Sequence, residues 1–294
     1  GLCNTPAKFY EACKNASILG TLQASYTNMP FLGVDTEELI NEEALIGVSI
    51  TGIMDNPKVL LSPEVLRKGA EIVNQVNEEV AKIIGINPAA RTTTVKPSGN
   101  ASVILGTSSG IHPAHSRRYF RIMQMNKQTE VAKVLAENNS VLLENSVWSA
   151  SGNDYAVYLP IEENEGSLFK DDLSDIDFVK AVETVYQNWV LVGNHKDRGY
   201  SNRVTHNVSN TITVQDWDNL FDHIYKNKES FCGLSFMPSL GDKVYKQSPF
   251  TKVLSFEEIV SKYCTGSLFA SGLVVDSLHA FDNDLWDTCQ AVVD

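Results

Sequence analysis

Residues 63–85 carry the clearest periodicity in the chain. Val65, Leu66, Ile72, Val73, Val76, Val80, Ile83 and Ile84 recur at helical spacing, which gathers them on one face of an α-helix. Ser62 supplies an N-cap hydroxyl, Pro63 suits the first helical position, and Gly85 suits the left-handed stop. The same reasoning predicts a helix over 5–27, opened by Thr5-Pro6 and turning Phe9, Ala12, Cys13, Ala16 and Leu19 inward. Further helices are predicted over 128–138, over 174–192 behind Ser174, over 216–227 behind Asp216, and over 255–263. Strands are predicted for the apolar run 44–50 and for 92–95, 117–126, 154–162, 207–214 and 231–238. Residues 239–252, "SLGDKVYKQSPFTK", read as a long surface loop. Strands alternating with helices predict an α/β fold.

With 294 residues the chain has room for one large α/β domain or two smaller ones, and 43% apolar with 20% charged residues is ordinary for a globular protein. No apolar run approaches the roughly 18–20 residues that span a bilayer. The opening residues "GLCNTPAKFYEACKNAS" lack the basic, apolar and small-residue order of a signal peptide. A cytoplasmic protein with no membrane partner is the expectation. The formal charge of −12 argues against a nucleic-acid surface, which is basic, while leaving room for a nucleotide held by a few amides and cations. Cys3, Cys13, Cys232, Cys264 and Cys289 show no metal-finger spacing, and their odd number implies free thiols.

The chemistry concentrates in "TTTVKPSGNASVILGTSSGIH", residues 92–112. A strand runs through a tight turn into a short helix. Proline fixes the turn, and Gly99 lets a ligand approach the backbone with no Cβ in the way. Asn100 and Ser102 add short hydrogen-bonding side chains. Ser98, Gly99, Asn100, Ala101 and Ser102 therefore form a candidate phosphate turn of the backbone-amide kind. Neither GxxxxGK[ST] nor GxGxxG occurs, so this is not a Walker or dinucleotide loop. His112 and His115, in "GIHPAHSRR", are split by a proline and have no further ligands nearby in sequence, which argues against a metal pair. Arg117 and Arg118 are expected to be solvated or salt-bridged.

These residues carry a family resemblance. "TTTVKPSGNASVILGTSSGIHPAHSRRYFRIMQMN" resembles the substrate-phosphate segment of the adenosylcobalamin-dependent (class II) ribonucleotide reductases, in which a VKPxGT-type turn precedes a GxxSGxHP loop and a Tyr-x-x-Arg strand. "FYEACKNASILGTLQASYT" and "ALIGVSITGIMDNP" precede it in the family's order, and "DYAVYLPIE", "HNVSNTITV", "GLSFMP" and "YKQSPFTKVLSFEEI" follow. The likeness covers nearly the whole chain, residues 1–294, as one portion of a catalytic barrel domain.

The resemblance implies the second half of a ten-stranded α/β barrel and the replacement of a ribonucleotide 2′-hydroxyl by hydrogen. In such enzymes cobalamin generates a thiyl radical on a finger-loop cysteine, which abstracts the 3′ hydrogen; a cysteine pair then reduces the substrate radical. The implied cofactor is adenosylcobalamin. The implied partners are a ribonucleotide substrate, the N-terminal half of the enzyme, a thioredoxin-like reductant and dNTP effectors. Ser98, Gly99, Asn100, Ala101 and Ser102 match the phosphate turn, although the family usually has threonine at the position of Asn100, so the backbone contacts carry over and that side-chain bond does not. Cys3 matches the second redox cysteine, with Thr5 in place of the leucine of Cys-Asn-Leu. The finger-loop motif Asn-Pro-Cys-x-Glu does not occur, so the chain by itself is expected not to turn over. The alternative is a non-catalytic nucleotide-binding module that retains the fold. A phosphotransferase lacks its Mg²⁺-binding carboxylate beside a phosphate loop.

Overall fold

The computed structural model describes residues 2–138, 140–163, 166–201, 203–239 and 246–252. In chain order its elements begin with α1 (Pro6–Ala24), α2 (Val34–Glu43), β1 (Val48–Ser49), α3 (Pro57–Leu60), α4 (Pro63–Ile84), β2 (Thr93–Thr94) and α5 (Asn100–Leu105). They continue with β3 (Arg118–Asn126), α6 (Glu130–Asn138), β4 (Leu143–Asn145), β5 (Asp154–Glu162), α7 (Asp175–Val185), β6 (Ile212–Val214), α8 (Trp217–Lys226), β7 (Phe236–Pro238) and β8 (Phe250–Lys252). The chain divides into two compact units, Gly1–Ala114 with Glu165–Gly241, and His115–Asn164 with Asp242–Asp294. Among the described residues no helix is long and apolar enough to cross a membrane.

The first unit is built on parallel strands. β1 pairs with β2 (Val48 opposite Thr93), Val95 bridges Val208 in the same sense, and β6 pairs with β7 (Ile212 opposite Phe236). The ladder outruns the short named strands: Ile46 N–H donates to the Arg91 carbonyl, Val95 N–H to that of Asn207, and Ser209 N–H back to that of Val95. Parallel neighbours need long crossovers, and α4 supplies one between β1 and β2, as α8 does between β6 and β7. The caps expected for α1 and α4 are in place, with Thr5 Oγ1 accepting from Lys8 N–H and Ser62 Oγ from Val65 N–H. Phe9, Ile50, Ile53, Met54, Leu66, Val73, Trp189 and Ile212 lie at the centre of the core. The end of α2 is tied to the strand before β2 by a buried Glu43–Arg91 ion pair.

Three expectations are corrected. The helix over 174–192 ends as α7 and continues as a π-helical turn, Tyr186–Val190. That turn sinks Trp189 fully into the core, where its Nε1–H donates to the Thr94 carbonyl at 2.9 Å. The strand over 207–214 is interrupted. Asn210 is buried there, its Nδ2 donating to the Val208 carbonyl (2.7 Å) and its Oδ1 accepting from Ser235 N–H (3.4 Å), so a side chain occupies ladder positions. Residues 239–252 are not all loop. Phe250–Lys252 pairs with β3, and Gln247 behind it is buried, accepting from Val147 N–H (2.8 Å) and donating to the Asn145 carbonyl (2.9 Å). The helix expected over 255–263 lies outside the described residues.

The second unit is an antiparallel sheet in the order β4-β5-β3-β8. β3 and β5 pair along their whole length, from Arg118 opposite Glu162 to Asn126 opposite Asp154. Tyr119, Phe120 and Ile122 on β3 and Val157 and Tyr158 on β5 are buried.

Candidate functional site

The turn at residues 96–102 leaves the ladder just after β2. Lys96, Pro97, Gly99 and Ala101 are exposed and Ser98 is half-buried. Gly99 is left-handed, with φ 53°, and nothing lies within 4 Å of where a Cβ would stand. The bend faces open space. Not all of its hydrogen-bonding groups do: Ser98 N–H donates to Ser109 Oγ (3.0 Å) and Ala101 N–H to the Ser98 carbonyl (3.1 Å). Ser102 is buried, and its hydroxyl closes the turn by donating to the Gly99 carbonyl at 2.8 Å. The side chain of Asn100 lies outside the described residues.

A second segment supports this turn, and no single residue in it stands out from sequence. Thr51 follows β1. Its Oγ1 lies 2.7 Å from Ser98 Oγ, receives Gly110 N–H (3.0 Å) and donates to the Ser108 carbonyl (3.0 Å). Ile53 N–H donates to the Gly110 carbonyl (3.1 Å), and Asp55 Oδ2 accepts from Ser108 N–H (3.0 Å). Residues 51–55 thus hold the loop 106–110, and that loop holds Ser98.

His112 fixes the far end of the loop. Its Nε2 accepts from Thr211 N–H at 2.9 Å, so the ring proton sits on Nδ1 and points to the Ser109 carbonyl at 3.2 Å. Burial pushes its pKa below the usual histidine range, against the opposing pull of that carbonyl. Both ring nitrogens serve the fold. In the second unit, His115 stacks on Phe250, and Arg117 and Arg118 both reach Glu162 (3.4 and 3.0 Å). Hydrogen bonding from Arg118, followed by that from Arg117, holds the Glu162 carboxyl below its usual range. Among the described residues no cluster of His, Cys, Asp and Glu is arranged to hold a metal ion.

Cys3 is half-buried and lines a cavity of about 240 Å³ together with Cys13, Thr51, Leu105, Thr107 and Trp189. The cavity therefore abuts both the end of α5 and Thr51, the residue whose hydroxyl contacts Ser98. Cys13 is buried, and desolvation, with a smaller contribution from Cys3, pushes its thiol up to about 12. The structure brings Cys3 and the turn to one neighbourhood, 95 residues apart in sequence.

No protein-family model matches the chain. Over 228 residues it is 22% identical to a protein of Dictyostelium discoideum named as a probable adenosylcobalamin-dependent ribonucleoside-triphosphate reductase, covering 74% of this chain and 28% of that one. Over 112 residues it is 26% identical to the adenosylcobalamin-dependent ribonucleoside-triphosphate reductase of Euglena gracilis, covering 37% of this chain and 15% of that one. The crystal structure of a B12-dependent (class II) ribonucleotide reductase matches 92% of this chain and 40% of its own, with a TM-score of 0.69 and 17% identity. The likeness is to class II ribonucleotide reductases.

The mixed α/β arrangement described above is thus a fold found in a class II ribonucleotide reductase. The chain spans under a third of the length of the curated reductases it matches. The segment "ITGIMDNP" that resembles the reductases in sequence is the one that carries Thr51 and Asp55.

Proposed function

We propose that this chain supplies the phosphate turn and one redox thiol of an adenosylcobalamin-dependent reductase of ribonucleoside triphosphates. The cavity beside Cys3 carries the reading. Its wall includes Thr51, whose hydroxyl touches Ser98 of the turn. In a nucleotide the ribose adjoins the phosphates; in this chain the thiol-lined cavity adjoins the turn. The exposed bend at Gly99, between Ser98 and the start of α5 at Asn100 and Ala101, suits phosphoryl oxygens, with Ser102 bracing it. The apolar walls given by Leu2, Phe9, Ile50, Leu60 and Trp189 suit chemistry that must exclude water.

The reduction removes the 2′-hydroxyl as water and takes two electrons and two protons from a pair of thiols, which close to a disulfide. Cys3 is one of the pair. The second thiol and the radical-bearing cysteine come from the N-terminal half, a thioredoxin-like reductant reopens the disulfide, and dNTP effectors act on that other half. Adenosylcobalamin supplies radical initiation when bound. A cavity of about 240 Å³ is smaller than the roughly 300–1,000 Å³ of sites that enclose drug-sized ligands. It does not fit a corrin ring, and none of the roles given to this chain's residues runs through one.

The parallel strands form part of the ten-stranded barrel on this reading, and β1 is where the other half joins. Among the described residues β1 pairs with β2 alone. Its free edge borders a groove of about 760 Å³ lined by Leu19, Tyr26, Leu39, Leu45, Gly47 and Ser49. The test is a titration of the ¹⁵N-labelled chain with ATP. Shifts centred on the Gly99 and Ala101 amides support the reading, and a spectrum unmoved at those amides at millimolar nucleotide refutes it.

A further inference from the structure

We infer that Asp55 is a positioning residue for the phosphate turn, acting through the Ser108 amide and the loop 106–110; this rests on the phosphate reading above. Asp55 ends the 3-10 turn Ile53–Asp55 and is only 2% exposed. Oδ2 accepts from Ser108 N–H at 3.0 Å, while Oδ1 is buried with no hydrogen-bond partner. Ser108 Oγ and Thr107 Oγ1, on the loop it holds, are buried without partners as well.

Such a group is expensive to keep. A buried carboxylate oxygen without a donor loses its hydration and gains nothing in return, and an apolar side chain of the same shape would avoid that loss. The retained acceptor has one visible use, which is to fix the Ser108 amide. One residue further on, Ser109 Oγ accepts Ser98 N–H (3.0 Å), so the placement of Ser108 sets that of the turn. The acceptor is itself anchored from behind. Leu168 N–H donates to the Met54 carbonyl (2.8 Å), Ser167 Oγ to the Asp55 carbonyl (3.4 Å), and Ile53 N–H to the Gly110 carbonyl (3.1 Å).

The inference separates three substitutions. Asp55→Asn keeps an acceptor for the Ser108 amide, Asp55→Leu keeps the branched shape without one, and Asp55→Ala keeps neither. The 294-residue chain is compared in two ways. Amide hydrogen exchange over residues 106–110 is read without ligand, and inorganic triphosphate affinity is read from the Gly99 amide shift. Asp55→Leu and Asp55→Ala are expected to speed exchange in the loop and weaken triphosphate binding roughly tenfold, the scale of a lost buried hydrogen bond. Asp55→Asn is expected to restore both, whichever way overall stability moves. Unchanged loop exchange in Asp55→Leu, or equal triphosphate affinity in Asp55→Leu and the unsubstituted chain, overturns the inference. Failure of the unsubstituted chain to bind triphosphate overturns the phosphate reading instead, and the exchange comparison still decides whether Asp55 holds the loop.

Discussion

The hydroxyls of Thr51 and Ser98 lie 2.7 Å apart, and this contact joins the end of the β1 segment to the turn at residues 96–102. Thr51 Oγ1 also receives Gly110 N–H and donates its one proton to the Ser108 carbonyl. The network therefore assigns the Ser98 proton to Thr51. A phosphoryl oxygen reaching the Ser98 hydroxyl competes with Thr51 for that proton, whereas one bound by backbone amides does not. Thr51→Val leaves the Gly110 amide and the Ser108 carbonyl without their partner and is expected to cost about 1–3 kcal/mol. Thr51→Ser keeps the hydroxyl and is expected to retain most of that stability. Denaturant unfolding checks both, and a Thr51→Val variant as stable as the unsubstituted chain would remove the hydroxyl from the account.

Gly99 and Gly110 are both left-handed but differ in their surroundings. Gly99 (φ 53°) has open space where a Cβ would stand; at Gly110 (φ 61°) a Cβ would lie 3.0 Å from the Lys96 carbonyl oxygen. Gly99→Ala is expected to cost only the backbone strain, about 1–2 kcal/mol. Gly110→Ala adds a clash with backbone that cannot swing aside, so its loss is expected to be the larger. Thermal unfolding of the two variants orders them; a reversed order would mean that the loop can yield where the turn cannot.

What the sequence made readable followed from whether the deciding interaction was local. α4 was readable because Ser62, the apolar stripe and Gly85 all lie within the helix or beside it. β1 and β2 were harder. Each is two residues long, and their continuation depends on partners such as Ile46 with Arg91 that are about 45 residues apart. The break at Asn210 and the π turn under Trp189 answer to contacts across the unit, with Ser235 and Thr94. The turn itself was legible from Pro97 and Gly99. Its supports were not, because Thr51, Asp55 and Thr211 act through single hydrogen bonds that no spacing reveals.

Acid is expected to destabilise the first unit from neutrality downward. Burial is the leading cause that lowers the pKa values of His112, His195 and His206 from 6.5. Carbonyl bonds to Ser109 and Thr93 oppose the shift at His112 and His206. At His195, Arg198 adds to it, and Glu78 and Asp197 oppose it. With folded values below unfolded ones, the unfolded chain binds more protons as pH falls. The stabilisation is therefore complete above about 6.5 and is lost as pH drops through the folded values. Protonation of His112 also places a hydrogen on Nε2, where Thr211 N–H now donates. Urea midpoints are expected to fall between pH 7.5 and 5.5, and more shallowly in His112→Asn. A slope unaltered by that substitution would remove His112 from the account.

The two thiols of the cavity are expected to differ in reactivity. Cys13 is buried with its thiol pushed up to about 12, which leaves a thiolate fraction near 10⁻⁴ at pH 8, and it is the thiolate that attacks. Cys3 is half-buried on the same cavity, and Cys232 is exposed. Iodoacetamide at pH 8 is expected to modify Cys3 and Cys232 well before Cys13, as read by peptide mass mapping. Bound nucleotide adds the functional contrast. On the proposed function a ribose would enter the cavity, shielding Cys3 and leaving Cys232 untouched, so ATP is expected to slow labelling at Cys3 alone. Labelling of Cys3 that ignores saturating nucleotide would place the sugar elsewhere and detach this thiol from the reaction.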